Sequence, residues 1–204
     1  MPVISLTARR SASHAVDEAD LVRRVAAGER TALEALYRGY QPRLARFLGR
    51  TTRRTDVIEE VINDTFWIVW QKADRFRGDS RVSTWIMGIA YRCTLKCLRD
   101  RGASPADPLP DDSSAWAVAD PTADREMQDW VAKGLARLPV EQRMALELAY
   151  GGGHSLEEIA SIMDCQVTTV KARMFHARVK LRHLLPALAG DTQGGTAEKR
   201  DEQP

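Results

Sequence analysis

Between Arg101 and Asp124 the chain carries Pro105, Pro108, Pro110 and Pro121 among Asp107, Asp111, Asp112, Asp120 and Asp124. Prolines remove backbone donors and like-charged carboxylates repel one another, so residues 101–124 are expected to form an extended, poorly ordered linker around a local anchor, Trp116. A chain of 204 residues cut at this point builds two small domains, over 18–100 and 125–186. The N-terminal tail, 1–17, and the polar tail, 187–204, lie outside them, and the latter lacks apolar periodicity and reads as disordered.

Both domains read as helical, because apolar residues recur at three and four and no stretch alternates with period two. The expected fold class is all-α, with no sheet. Asp20 is placed to cap a helix containing Leu21, Val22 and Val25 that Gly28 ends, and Thr31 with Glu34 has capping-box spacing for the next. Leu33, Leu36, Tyr37, Tyr40, Leu44, Phe47 and Leu48 form the buried stripe of that second helix, which Pro42 is expected to kink or divide. A third helix runs from near Asp56 to about Phe76, and a fourth from about Ser83 to Arg99 after the break at Gly78 and Asp79.

Beyond the linker, Met127, Trp130, Val131, Gly134, Leu135 and Leu138 share one helical stripe, and Pro139 suits the first turn of a helix that ends at Gly151, Gly152 and Gly153. Ser155 and Glu158 form a capping box for a helix through Met163. A short turn at Asp164, Cys165 and Gln166 then leads to a long helix reaching about Leu185. Helix, three-residue turn, helix is the spacing of a helix-turn-helix reader of duplex DNA.

That last helix is strongly biased. Lys171, Arg173, Arg178, Lys180 and Arg182 occur between Cys165 and His183 without one acidic residue. Val170, Met174, Ala177 and Leu181 mark its buried stripe, which leaves Thr168, Lys171, Ala172, Phe175, Arg178 and Arg182 on the outer side. An exposed aromatic within a cationic face fits apolar contact with a thymine methyl or a sugar; the plainer alternative is a solvated cationic helix with a partly covered Phe175.

The third helix has the opposite character, with Asp56, Glu59, Glu60 and Asp64 and no cation before Lys72. Ile58, Ile62, Phe66, Val69 and Ala73 face inward, while Glu60, Asn63, Asp64 and Trp67 share another face. A tryptophan beside acids reads as a protein-binding hot spot, or else as a solvated acidic helix whose Trp67 covers a neighbour. A metal site is a poorer reading, since no histidine is near and acids are favoured at a helix start. Between the third and fourth helices, Arg75, Phe76, Arg77, Gly78, Asp79, Ser80, Arg81 and Val82 combine cations, an aromatic and a glycine, with Ser83 and Trp85 following. Such a loop suits single-stranded DNA, although Phe76 and Trp85 are equally able to be core. Arg92, Lys96 and Arg99 continue at helical spacing and are placed to follow phosphates.

The bulk figures fit this reading. Hydrophobic residues make up 44% and charged ones 28%, a globular balance; the net charge of +2 is too small to identify a polyanion partner, so the clustering of charge has to. Arg9 and Arg10 are not followed by the apolar run of a signal peptide, and no membrane span is read, so the expected location is the cytoplasm. Cys93, Cys97 and Cys165 are too few and odd in number for a disulfide framework, and Cys93 with Cys97 lacks a third ligand for metal. No cofactor, metal or small-molecule substrate is expected.

In this order the segments resemble the extracytoplasmic-function sigma factors, the smallest branch of the bacterial primary-sigma family. The resemblance rests on DTFWIVWQKADRFRGDS and STWIMGIAYR in the first domain, and on LPVEQR, SLEEIASIM and TVKARMFHARVKLR in the second. It implies that Glu60, Asn63, Asp64 and Trp67 bind the clamp of core RNA polymerase. It implies that Phe76, Arg77, Asp79, Ser80, Ser83 and Trp85, with Arg92 and Lys96, take the melted −10 promoter element. Thr168, Thr169, Lys171, Ala172, Phe175 and His176 fall where the family reads the −35 element, with Arg173 and Arg178 structural or directed at phosphates. An anti-sigma factor is implied as a further partner, in this family often membrane-bound. Gln166 stands where proline is common, Thr168 where glycine is common, and the glycine run at 151–153 is unusual for its implied flexibility.

Two modules on a tether bind avidly only when held at the right separation. The rival reading is a helix-turn-helix transcriptional regulator that forms no polymerase holoenzyme, which leaves the Trp67 face and the Arg75 to Trp85 loop without a role. A metal-dependent nuclease using Asp56, Glu59, Glu60 and Asp64 is a third class, and no catalysis is inferred.

Overall fold

A computed structural model describes residues 18–52, 54–102 and 125–193. Most of the expected linker and both chain ends lie outside the described residues. All regular structure among the described residues is helical.

The first unit holds α1 (18–26), α2 (Arg30–Thr51), α3 (Thr55–Lys72), a single 3₁₀ turn at Ala73–Arg75, and α4 (Val82–Asp100). α3 lies between α2 and α4. Leu36, Tyr40, Leu44, Phe47 and Leu48 of α2 are buried with Ile58, Ile62, Phe66 and Val69 of α3 and with Ile86, Ile89 and Ala90 of α4. Each large aliphatic side chain so buried contributes about 1.5–3 kcal/mol. The buried hydroxyls of Thr51, Thr65 and Thr94 donate to the carbonyls of Phe47, Val61 and Ala90, one turn back, which satisfies them without a distant partner.

Several local expectations need correction. α1 is already helical at residue 18, so Asp20 lies inside it and pairs with Arg23 at 3.0 Å. α2 begins after Glu29, which makes no side-chain cap. The Thr31 hydroxyl donates to that same Glu29 carboxylate at 2.6 Å, so no box forms with Glu34. Pro42 sits inside one continuous 22-residue helix. It lies on the exposed face, where water meets the carbonyl that its missing N–H leaves free. Tyr37 is exposed, with its ring 4.8 Å from Phe66.

The second unit holds α5 (Arg125–Ala136), α6 (Val140–Leu146), a π turn at Glu147–Gly151, α7 (Leu156–Ile162) and α8 (Val167–Gln193). The capping box at Ser155 and Glu158 forms in both directions. Asp164 has φ 49° in the turn between α7 and α8, the one non-glycine positive φ among the described residues. Val170, Met174 and Ala177 are buried as the stripe requires, whereas Val131 is exposed. α8 runs past Leu185.

The two units pack against each other, α4 on α7 and α2 on α6 and the π turn, and their buried clusters are continuous. A Cβ at Gly88 of α4 would stand 3.6 Å from the Ile162 carbonyl, so there is room for a methyl and little more where these helices cross. Two glycines of the run beside this contact leave no room for a side chain. A Cβ at Gly151 would lie 2.9 Å from the Arg50 guanidinium, and one at Gly152 would lie 2.9 Å from the Leu148 carbonyl.

Candidate functional surfaces

α3 presents Glu60, Asn63, Asp64 and Trp67 to solvent along one face, with Trp67 62% exposed. The opposite face is fully spent on the core, so burial explains none of these four. Glu60 is not a free acid. Arg101, which composition assigns to the linker, turns back to place its guanidinium 2.6 Å from Asp56 and 2.5 Å from Glu60. Those two carboxylates raise the Arg101 pKa, and the Asp56 carboxyl is held well below its usual range by Arg54 first and Arg101 second. Asn63, Asp64 and Trp67 remain the open part of the surface.

The loop from Phe76 to Arg81 is short and pinned at its base. Phe76 and Trp85 are both half-buried and pack against each other at a tilt, with ring centroids 5.0 Å apart and planes 42° apart. They are neither full core nor free, which leaves one edge of an aromatic pair at the surface. Gly78 takes φ 79°, a conformation favouring glycine, and so lets the loop turn back. Arg77 and Asp79 are almost fully exposed and only loosely paired at 3.9 Å. Ser80 and Ser83 are half-buried beside them, and Arg92 and Lys96 are exposed on α4.

On α8 the outer row is Thr168, Lys171, Ala172, Phe175, His176 and Arg178, all exposed; Phe175 is 60% exposed with His176 edge-on at 5.6 Å. Thr169 is half-buried. Arg173 points inward, 2.5 Å from Glu141 of α6 and 3.5 Å from the Cys165 sulfur, so its charge is spent within the unit. The capping box on α7 and the Arg173–Glu141 pair thus position α8 so that it presents a cationic, partly apolar row.

Cys93 and Cys97 are buried free thiols, and burial is the first cause that raises both pKa values and keeps them protonated. Among the described residues no group of side chains is arranged to hold a metal, and no helix is long and apolar enough to cross a membrane.

The contact between the units is what sequence reasoning missed. Arg143, 3% exposed, donates to the carbonyls of Thr51, Ala136 and Leu138. Arg50 reaches the buried Glu147 at 3.2 Å, and Arg81 reaches Glu158 at 3.3 Å. Tyr91 is buried on α4 with its hydroxyl pushed up to about 12, first by burial and then by the Glu141 carboxylate across the contact. The available signal was a cation and an acid, Arg143 and Glu147, flanking the apolar run Met144, Ala145 and Leu146.

A family model described as Sigma-70 region 2 matches residues 36–104, and one described as Sigma-70, region 4 matches residues 128–181. The chain is 34% identical over 172 residues to the ECF RNA polymerase sigma factor SigM of Mycobacterium tuberculosis, covering 84% of this chain and 86% of that protein. It is 32% identical over 170 residues to the ECF RNA polymerase sigma-E factor of Salmonella typhimurium, covering 78% of this chain and 88% of that one. Among solved structures it is similar to CnrH in complex with the cytosolic domain of CnrY, at TM-score 0.61 and 25% identity over 83% of this chain and 97% of the other. It is also similar to the sigma factor RpoE in complex with the anti-sigma factor NepR from Bartonella quintana, at TM-score 0.59 and 28% identity over 75% and 96%.

Proposed function

Because the chain belongs to the extracytoplasmic-function sigma factors, which direct transcription initiation with RNA polymerase, we propose a role for each of its three exposed surfaces. Asn63, Asp64 and Trp67, with Glu60 steadied by Arg101, bind the core enzyme. The Phe76 to Ser83 loop, backed by Trp85 and flanked by Arg92 and Lys96, captures an unstacked base and the backbone of the melted −10 element. The α8 row enters the major groove of the −35 duplex, with Lys171 and Phe175 at base edges and Arg178 toward phosphate. Arg173 acts as a strut that fixes α8 against α6.

The observation that supports this most is Phe175, 60% exposed in the middle of a cationic helix that buries Val170, Met174 and Ala177 on its other face. Exposing an aromatic ring there gains nothing for folding, whereas an apolar surface beside Lys171 matches a thymine edge. DNA opening needs no catalysis by this chain, since binding energy traps unstacked bases and the polymerase performs phosphoryl transfer. A regulator acting without holoenzyme is not favoured, because a region 2 match spans residues 36–104. Given the partners named for the two structural relatives, a protein inhibitor that covers these surfaces is part of the proposal.

Transcription in vitro with core enzyme on a promoter library tests this reading. The chain is expected to bind core and to select start sites that share paired −35 and −10 sequences. Failure to confer start-site selection sinks it.

A further inference from the structure

The two units enclose a cleft of about 390 Å³ that the three surfaces touch only at the Ser83 end of the loop. One wall is a row on α2, Arg43, Arg46 and Arg50, spaced at three and four so that they share a helix face. Arg81 and Ser83, from the end of the −10 loop, continue the same wall. Across it stand Glu147 and Glu158 of the second unit, paired with Arg50 at 3.2 Å and Arg81 at 3.3 Å. Arg43 lies over the Tyr40 ring at 5.5 Å, and among the described residues neither Arg43 nor Arg46 has a carboxylate partner. Four arginines thus face two acids.

We propose that this arginine row carries the melted promoter strand onward from the Ser83 end of the loop along α2, and that Glu147 and Glu158 occupy it in the docked chain where strand phosphates would lie. The proposal rests on the sigma-factor reading above. The row from Arg43 to Arg50 covers roughly 10 Å of helix, enough to follow a backbone rather than to hold one point charge. The aromatic residues of the cleft, Tyr40 and Phe47, are buried at 2% and 7% exposure and offer no open ring for a base to stack on. The row therefore reads phosphates and not sequence. Glu147 is 8% exposed, and a carboxylate so buried is stable only beside a cation, so the acid and the phosphate compete for the same guanidinium.

Titrating the full chain with a fluorescent single-stranded oligonucleotide of about ten nucleotides, over a range of salt, tests this. Glu147→Gln with Glu158→Gln is expected to tighten binding about tenfold. Adding Arg43→Ala and Arg46→Ala to that variant should reverse the gain and lower the log–log salt slope by about 0.7 per arginine. Arg43→Lys with Arg46→Lys should keep the slope, and Arg43→Gln with Arg46→Gln, which preserves bulk, should lose it even if the alanines disturb α2. A slope indifferent to these arginines, or a Gln pair that binds no tighter, overturns the proposal. So does binding of inorganic triphosphate in the cleft without binding of the oligonucleotide. Core-enzyme association is measured on the same variants: a chain that joins core but shows none of these changes defeats this proposal alone, and one that does not join core defeats the reading beneath it.

Discussion

Arg143 of α6 donates to the main-chain carbonyl of Thr51, at the end of α2, over 2.7 Å. The two residues are 92 apart in sequence, and the bond joins the last turn of α2 in one unit to buried α6 in the other. Its guanidinium also serves the carbonyls of Ala136 and Leu138, so one buried cation closes a helix end in each unit.

Arg143→Ala is therefore expected to cost about 2–4 kcal/mol, because it strands three carbonyls and leaves a gap beneath Thr51. Urea denaturation of the full chain measures it. Arg143→Lys should recover little, since an ammonium lacks the planar fork that reaches both sides. Wild-type stability in the alanine variant would show that the bond does no structural work.

The contact between the units should weaken as pH falls. His154 is half-buried at the cleft, its Nδ1 3.7 Å from Glu158, and burial holds the imidazole below its ordinary pKa despite the upward pull of that acid. An undocked His154 takes up its proton at a higher pH than the docked one. The stabilisation is thus complete above the unperturbed value, about 6.5, and is lost as pH drops through the lower, docked value. Fluorescence transfer between dyes on the two units, followed from pH 8 to pH 5, should report the loosening, and His154→Asn should flatten the profile.

The α8 row makes a separable prediction. Lys171→Ala and Phe175→Ala should each weaken promoter binding by about 1–3 kcal/mol and relax selectivity at the bases they touch. Both side chains are exposed, so the fold should tolerate the changes. Promoter selectivity that survives both substitutions removes these residues from the −35 reading role.

Asp64→Ala tests the α3 surface in the same spirit. It is expected to lower core-enzyme affinity while leaving binding to a −35 duplex, and thermal stability, within error of wild type. Equal loss of both activities would mean that Asp64 supports the fold and not a partner. Asp64 is the cleaner choice than Glu60, whose removal would also release Arg101.

What the sequence made legible is what short-range chemistry decides. The capping box at Ser155, the buried stripe at Val170, Met174 and Ala177, and the glycine at Gly78 each follow from residues within a turn or two. Where two local signals compete, the outcome was hidden: Thr31 has box spacing, but Glu29 accepts its hydroxyl first, and Pro42 is tolerated because its face is solvated. The docking of the units was least legible of all. It depends on Gly88 meeting Ile162 and on Arg143 reaching Thr51, pairings that no periodicity encodes. Of the candidate site residues, Arg173 reads from sequence as either structural or directed at phosphate, and only its pairing with Glu141, 32 positions away, favours the structural role.

Docking also limits what the chain can do in this form. Elements centred near −35 and −10 lie about 25 base pairs apart, roughly 85 Å of duplex. A folded body of this length has a radius of gyration of about 17 Å, so one docked chain cannot touch both elements at once. Residues 103–124, fully extended, reach about 75 Å, which together with the width of the units is enough to span the two sites once α4 and α7 part. Joining the core enzyme is therefore expected to separate the units. Dyes on exposed Arg38 of α2 and exposed Lys180 of α8 should transfer energy strongly in the free chain and weakly in holoenzyme. Arg143→Ala, by loosening the docked state, should lower transfer before core is added and should raise apparent core affinity at unchanged surface chemistry. If transfer stays high in a holoenzyme that initiates from a two-element promoter, the units do not part, and the avidity argument for the tether fails with them.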